Sequence, residues 1–191
     1  MTDLADFAGG GFQTIVQEGV WEIGPFGGST SGVLNIPQVD LNNTYLEVRW
    51  IINGSGLVMP AIWLKNSTQI EWKSSTNISS NGGEIVHYKL IQDTEITSIY
   101  RDAVSNNNYR DISSDPIGIT GQFANQITIP ATQSGAIVKC GLHYANISAF
   151  KSFSDAWSCT AEGWLLNSTT LLVPHHKNVG DRIVSYQILN Y

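Results

Sequence analysis

From Phe12 onward, apolar and polar residues alternate with a period of two, and no segment holds a helical apolar stripe for three turns. The stretch Thr44–Asn53 is the clearest case: Leu46, Val48, Trp50 and Ile52 fall on one side and Tyr45, Glu47 and Arg49 on the other, before Gly54-Ser55-Gly56 turns the chain. Thr68–Lys73 repeats the scheme, with Ile70 and Trp72 against Gln69, Glu71 and Lys73. The same pattern predicts further strands at Gln13–Ile23, Ser31–Ile36, Leu57–Lys65, Glu84–Gln92, Thr94–Arg101, Gln122–Ile129, Gly135–Tyr144, Ala156–Leu166, Thr169–Val173 and Arg182–Leu189.

These elements predict an all-β fold. Long polar connections at Ser74–Gly83, Asp102–Pro116 and Pro174–Asp181 exceed what meander turns need, so some should cross between sheets. The expected architecture is a two-sheet antiparallel β-sandwich, jelly-roll-like, in one domain spanning residues 12–191. Residues 1–11, ending in Gly9-Gly10-Gly11, read as a flexible tether on which Leu4 and Phe7 are free to dock elsewhere. No internal repeat is expected beyond a doubled tripeptide, Tyr100-Arg101-Asp102 and Tyr109-Arg110-Asp111.

That doubling suggests a hairpin. Charge selects the register that pairs Arg101 with Asp111 and Asp102 with Arg110, each exposed pair contributing roughly 0.2–1 kcal/mol at best. A ligand-binding reading stands beside it. Asn106, Tyr109 and Arg110 offer a sugar or peptide both polar and aromatic contacts, and Trp157, in the polar aromatic loop Phe153–Trp157, is a candidate stacking surface. Asp102, Asn106, Asn107, Asn108, Asp111 and Asp115 are oxygen-rich enough for a hard cation, but their spacing fits no ion-binding loop, so no metal is assigned.

Composition narrows the function classes. The net charge of −6 over 191 residues leaves no basic field for a phosphate backbone, and no apolar run reaches membrane-spanning length, so neither nucleic acid nor membrane insertion is expected. The start reads as lacking a secretion signal. The Asn-X-Ser/Thr triplets at Asn42, Asn53, Asn66, Asn77, Asn146 and Asn167 then reflect Asn/Ser/Thr-rich loops. Two cysteines, Cys140 and Cys159, are too few for a disulfide framework or a four-thiolate site.

Catalytic signatures do not emerge. There is no Gly-x-Ser-x-Gly elbow, phosphate-cradling glycine loop or His-Glu-x-x-His. His175 and His176 are adjacent and would face opposite ways on a strand, while His87 and His143 sit within alternating segments. Asp93, Glu95 and Glu162 read as solvated edges rather than as a glycosidase pair. The expectation is a non-enzymatic protein with no cofactor.

The opening Gly9-Gly-Gly-Phe-Gln-Thr-Ile-Val-Gln-Glu-Gly-Val-Trp-Glu-Ile23 and the ending Asp181-Arg-Ile-Val-Ser-Tyr-Gln-Ile-Leu-Asn-Tyr191 resemble the leader and closing strand of short virion proteins of tailed bacteriophages. The resemblance is one of style and order, without a diagnostic motif, and transfers no residue roles. It implies a homotrimer among other virion proteins, assembled in the host cytoplasm, whose end loops recognise a host surface receptor of glycan type. A capsid decoration or cement protein, or a carbohydrate-binding module, is the alternative. Tyr45, Ile51, Ile85 and Ile91, which point away from the Leu46 face, are candidate trimer contacts unless a second sheet covers them.

Overall fold

The computed structural model describes residues 12–23, 31–51, 61–73, 84–105, 109–111, 122–142, 163–176 and 183–191. Among the described residues all regular structure is β, and every ladder is antiparallel. The strands are β1 (Gln13–Ile23), β2 (Ser31–Asn35), β3 (Thr44–Ile51), β4 (Ala61–Asn66), β5 (Gln69–Lys73), β6 (Glu84–Asp93), β7 (Ser98–Ser105), β8 (Tyr109–Asp111), β9 (Gln122–Thr128), β10 (Ile137–Leu142), β11 (Trp164–Asn167), β12 (Thr170–His176) and β13 (Ile183–Asn190). The all-β expectation holds, and the bounds of β1 coincide with those read from alternation. One displaced element is β7, which starts at Ser98 rather than Thr94 because Asp93 caps a turn there: its Oδ1 accepts the Glu95 amide at 3.0 Å.

The ladders divide into four sheets, ordered β1-β6-β3, β2-β5-β4, β10-β13-β7 and β11-β12-β9-β8. The first two pack through a core of Ile23, Leu46, Ile62, Leu64, Ile70, Trp72, Val86, Tyr88 and Leu90. A second core of Ile127, Ile129, Leu171, Val173, Val184, Tyr186 and Ile188 joins the other two. Each core draws one side of each of its sheets, which is what the period-two pattern specifies.

The two halves repeat one topology. In the first, β6 lies between β1 and β3, and β5 between β2 and β4; in the second, β13 lies between β7 and β10, and β12 between β9 and β11. The registers repeat as well. Leu64↔Ile70 and Asn66↔Gln69 flank an irregularity in β4–β5, and Leu165↔Leu171 and Asn167↔Thr170 flank one in β11–β12. Ile36 N–H donates to Thr68 C=O at 2.9 Å and Val39 N–H to Ser67 C=O at 2.8 Å; Ile129 to Thr169 at 3.0 Å and Thr132 to Ser168 at 2.8 Å are their counterparts. Trp63-Leu-Lys-Asn-Ser-Thr68 corresponds to Trp164-Leu-Leu-Asn-Ser-Thr169, and Ile85-Val-His-Tyr88 to Ile183-Val-Ser-Tyr186. The expectation of no internal repeat is therefore corrected: the described residues form two equivalent six-stranded units, with β8 added to the second.

β13 is buried along its whole length. Val184, Tyr186 and Ile188 enter the second core, while Leu189, on the opposite side, packs with Tyr45, Ile91 and Ile96 beside the first unit. Tyr45 and Ile91 thus belong to the joint between units rather than to a free trimer surface. A strand covered on both faces explains the near-continuous apolar run Ile183-Val184 to Ile188-Leu189.

Candidate interaction surface

The two Tyr-Arg-Asp copies lie in different sheets. β7 pairs with β13, so that Arg101 is opposite Gln187 and Asp102 opposite Tyr186; β8 pairs with β9, so that Tyr109 is opposite Asn125 and Arg110 opposite Ala124. The expected hairpin, with Arg101 against Asp111 and Asp102 against Arg110, does not form. Tyr100↔Ile188 and Val104↔Val184 put apolar side chains into the second core. That burial outweighs two exposed ion pairs worth tenths of a kcal/mol each.

The first copy serves the framework. Arg101 Nη2 donates to Leu41 C=O at 2.7 Å and Thr44 C=O at 2.9 Å, tying the second unit to the loop that leads into β3. Burial pulls its guanidinium down to about 10, with nearby Asp40 acting the other way, so the group stays charged at neutral pH. Asp102 is exposed, and its Oδ1 accepts the adjacent Ala103 amide at 2.7 Å. The second copy occupies β8, the edge strand of its sheet.

Of the residues expected to contact a ligand, the structure places Tyr109 and Arg110 on this edge; Asn106 and Trp157 lie outside the described residues. The oxygen-rich group is divided between Asp102 on β7 and Asp111 on β8, with Asn106–Asn108 and Asp115 outside the described residues. Among the described residues no three His, Cys, Asp or Glu side chains converge as metal ligands. His175 and His176 are successive positions at the end of β12, opposite Phe123 and Gln122. Cys140 lies opposite Tyr186, and Cys159 falls outside the described residues. Trp72 is buried in the first core, Trp21 packs against it, and Trp63 is half-buried.

Polar residues missing from the sequence-based expectations hold the joint between units. Leu46 N–H donates to Gln187 Oε1 at 2.9 Å, and Gln187 Nε2 donates to Leu46 C=O at 2.8 Å. Lys139 Nζ lies 2.6 Å from Glu47 Oε1 and 4.6 Å from the centre of the Tyr45 ring. Burial, and then Glu47, push the Tyr45 phenol up to about 12. Asp93, expected from the sequence to be a solvated edge, is instead buried, because it accepts from Gln13 Nε2 at 3.0 Å and from Tyr191 Oη at 3.4 Å, bringing the start of β1 and the last residue together. Burial and Asp93 raise the Tyr191 phenol.

Among the described residues, two surfaces besides the β8 edge offer places for contact with other molecules. One is a broad, solvent-open hollow lined by Gln38, Val39, Asp40, Leu41 and Ser67, beside the β4–β5 turn. The other is β1, an eleven-residue edge strand on which Ile15, Val16 and Val20 are exposed, with exposed Phe12 just before it. An exposed apolar edge of this length is a template for association. Comparison with protein-family models, curated proteins and solved structures finds no match to this chain.

Proposed function

We propose that this chain is a non-catalytic recognition protein of a tailed-bacteriophage surface, an adhesin-type β head that contacts a host receptor of glycan type. The observation that carries the reading is the position of Tyr109-Arg110-Asp111. These residues form an edge strand in a different sheet from β7, which pairs with β13 instead. An edge strand carries an aromatic and a guanidinium residue at successive positions, either of which is a residue type that contacts sugars, one by stacking and the other by bonding hydroxyls. The wholly buried β13 supplies the rigid support.

The test is binding to a glycan array and to isolated host surface fractions, with Tyr109→Ala, Arg110→Ala and Trp157→Ala beside the parent chain. Binding weakened about tenfold or more by these changes, equivalent to about 1.4 kcal/mol, is expected. A parent chain that binds no host surface fraction overturns the adhesin reading.

The exposed apolar residues of β1 favour a second reading, a structural decoration protein of the virion. Such a protein would bind capsid and have no glycan affinity.

A further inference from the structure

The internal repeat makes the joint between the two units a template for a joint between two chains. Within one chain, the β3 edge of the first unit docks on one face of the β10-β13-β7 sheet: Gln187 grips the Leu46 peptide, Arg101 the 41–44 loop, and Tyr45 packs in one cluster with Ile99 and Leu189. The contact is not reciprocal. Gln187 corresponds to Lys89 and Leu46 to Val138 by their shared register against β6 and β13, but Lys89 pairs with Glu18 at 3.3 Å within its own sheet. The joint is therefore head-to-tail, and among the described residues it leaves parts of two complementary surfaces exposed.

The first is the face of the β1-β6-β3 sheet. Its Ile15, opposite Ile91, corresponds to Ile99, opposite Leu189; its Val20, opposite His87, corresponds to Ala103, opposite Ser185. In the second unit this face is covered: Ile183, Ser185, Gln187 and Leu189 are all buried. In the first, Ile91 is buried in the cluster with Tyr45, Ile96 and Leu189, but the rest of the face is open: Ile85, His87 and Lys89 are half-buried, Ile15 is 50% exposed and Val20 66%. The second surface is the Ile137 end of the β10 edge, where Ile137, 46% exposed, corresponds to Tyr45 at 3%; Lys139, two residues on, is already held by Glu47.

We propose that the β10 edge of one copy docks on the β1-β6-β3 face of the next, placing Ile137 beside Ile15 as Tyr45 sits beside Ile99 within the chain. Such a heterologous contact repeats through the assembly, closing a ring or extending a filament. The anchors differ: Lys89 replaces Gln187 and can donate to a carbonyl but not accept from an amide, while Glu18 replaces Arg101. The joint between chains is accordingly weaker than the internal one and reversible on dilution.

The experiment is light-scattering mass measurement of the full chain across concentration, with Ile15→Glu, Val20→Glu and Ile137→Glu, folding being checked by circular dichroism. The parent is expected at a multiple of 20.9 kDa at high concentration and each variant at 20.9 kDa. Mixing Ile15→Glu, which keeps a sound edge, with Ile137→Glu, which keeps a sound face, leaves one workable joint and restores a species of twice the chain mass. A parent that stays monomeric, folded variants that keep the parent mass, or a mixture that stays monomeric overturns the proposal.

Discussion

Gln187 on β13 treats the peptide of Leu46 as a neighbouring strand would, its amide oxygen accepting the N–H at 2.9 Å and its amide nitrogen donating to the C=O at 2.8 Å. A side chain from one unit thereby completes the hydrogen bonding of an edge strand in the other, and it does so where both residues are buried. Truncating it leaves a buried N–H and C=O unpaired, at about 1–3 kcal/mol for each. Gln187→Ala is expected to cost about 2–4 kcal/mol in denaturant unfolding, more than alanine at exposed Gln133.

The close approach of Trp72 to Gly32 gives a second prediction. A methyl group at position 32 would clash with the indole nitrogen of Trp72, its cross-strand partner in the first core. In the second unit the corresponding pair is Asn125 and Val173, where a smaller residue faces the larger one. Gly32→Ala should destabilise by about 1–3 kcal/mol through overpacking. Pairing it with Trp72→Val should recover part of that loss relative to Trp72→Val alone, measured as a double-mutant cycle.

The equivalent turns make a prediction about equality. Asn66 Oδ1 accepts the Thr68 amide at 2.9 Å and its hydroxyl at 3.1 Å, and Asn167 accepts the same two groups of Thr169 at the same distances. Each asparagine closes a tight connection with its side chain. Asn66→Ala and Asn167→Ala should each cost about 1 kcal/mol in chemical denaturation, each losing its two largely exposed bonds to threonine, with a small excess at Asn66, which also donates to Gln69 Oε1 at 2.9 Å. A large difference between them would show that the two turns are not equivalent.

Alkaline pH probes the joint through Tyr45. Its phenol is pushed from 10.0 to about 12 in the folded chain, so the native state holds this proton more tightly than the unfolded one. Stability from this group is complete below pH 10 and is lost as pH rises through 12. Comparison with Tyr45→Phe isolates it from Arg101, whose lowered value acts in the opposite sense over the same range. The parent should lose stability relative to Tyr45→Phe between pH 10 and 12, and the variant should lack one late-titrating tyrosine in its ultraviolet spectrum.

Much of the fold is legible in alternation, because each strand buries one side and shows the other. Trp72, Leu46 and Ile70 read as inward and are buried. Alternation specifies a strand's faces but says little about its partner, so local charge suggests β8 for β7 while the distant β13 supplies a far larger apolar contact. The repeat was hidden for a related reason: connections of unequal length separate the Trp63–Thr68 and Ile85–Tyr88 segments from their counterparts, so no fixed period appears. Tyr45 and Ile91 read as outward and are buried, because the second unit covers that part of the face. Arg101 and Gln187 gave no sequence signal, since their partners are backbone groups distant along the chain.

The most direct test of two equivalent β units joined through β13 is a set of cross-strand nuclear Overhauser contacts on the isotopically labelled full chain. The account predicts Tyr88 opposite Gly19 and Val48, Tyr186 opposite Asp102 and Cys140, and the Leu46 amide proton beside the Gln187 side-chain amide. Contacts pairing Tyr100–Asp102 with Tyr109–Asp111, with no contact between Gln187 and Leu46, would contradict it.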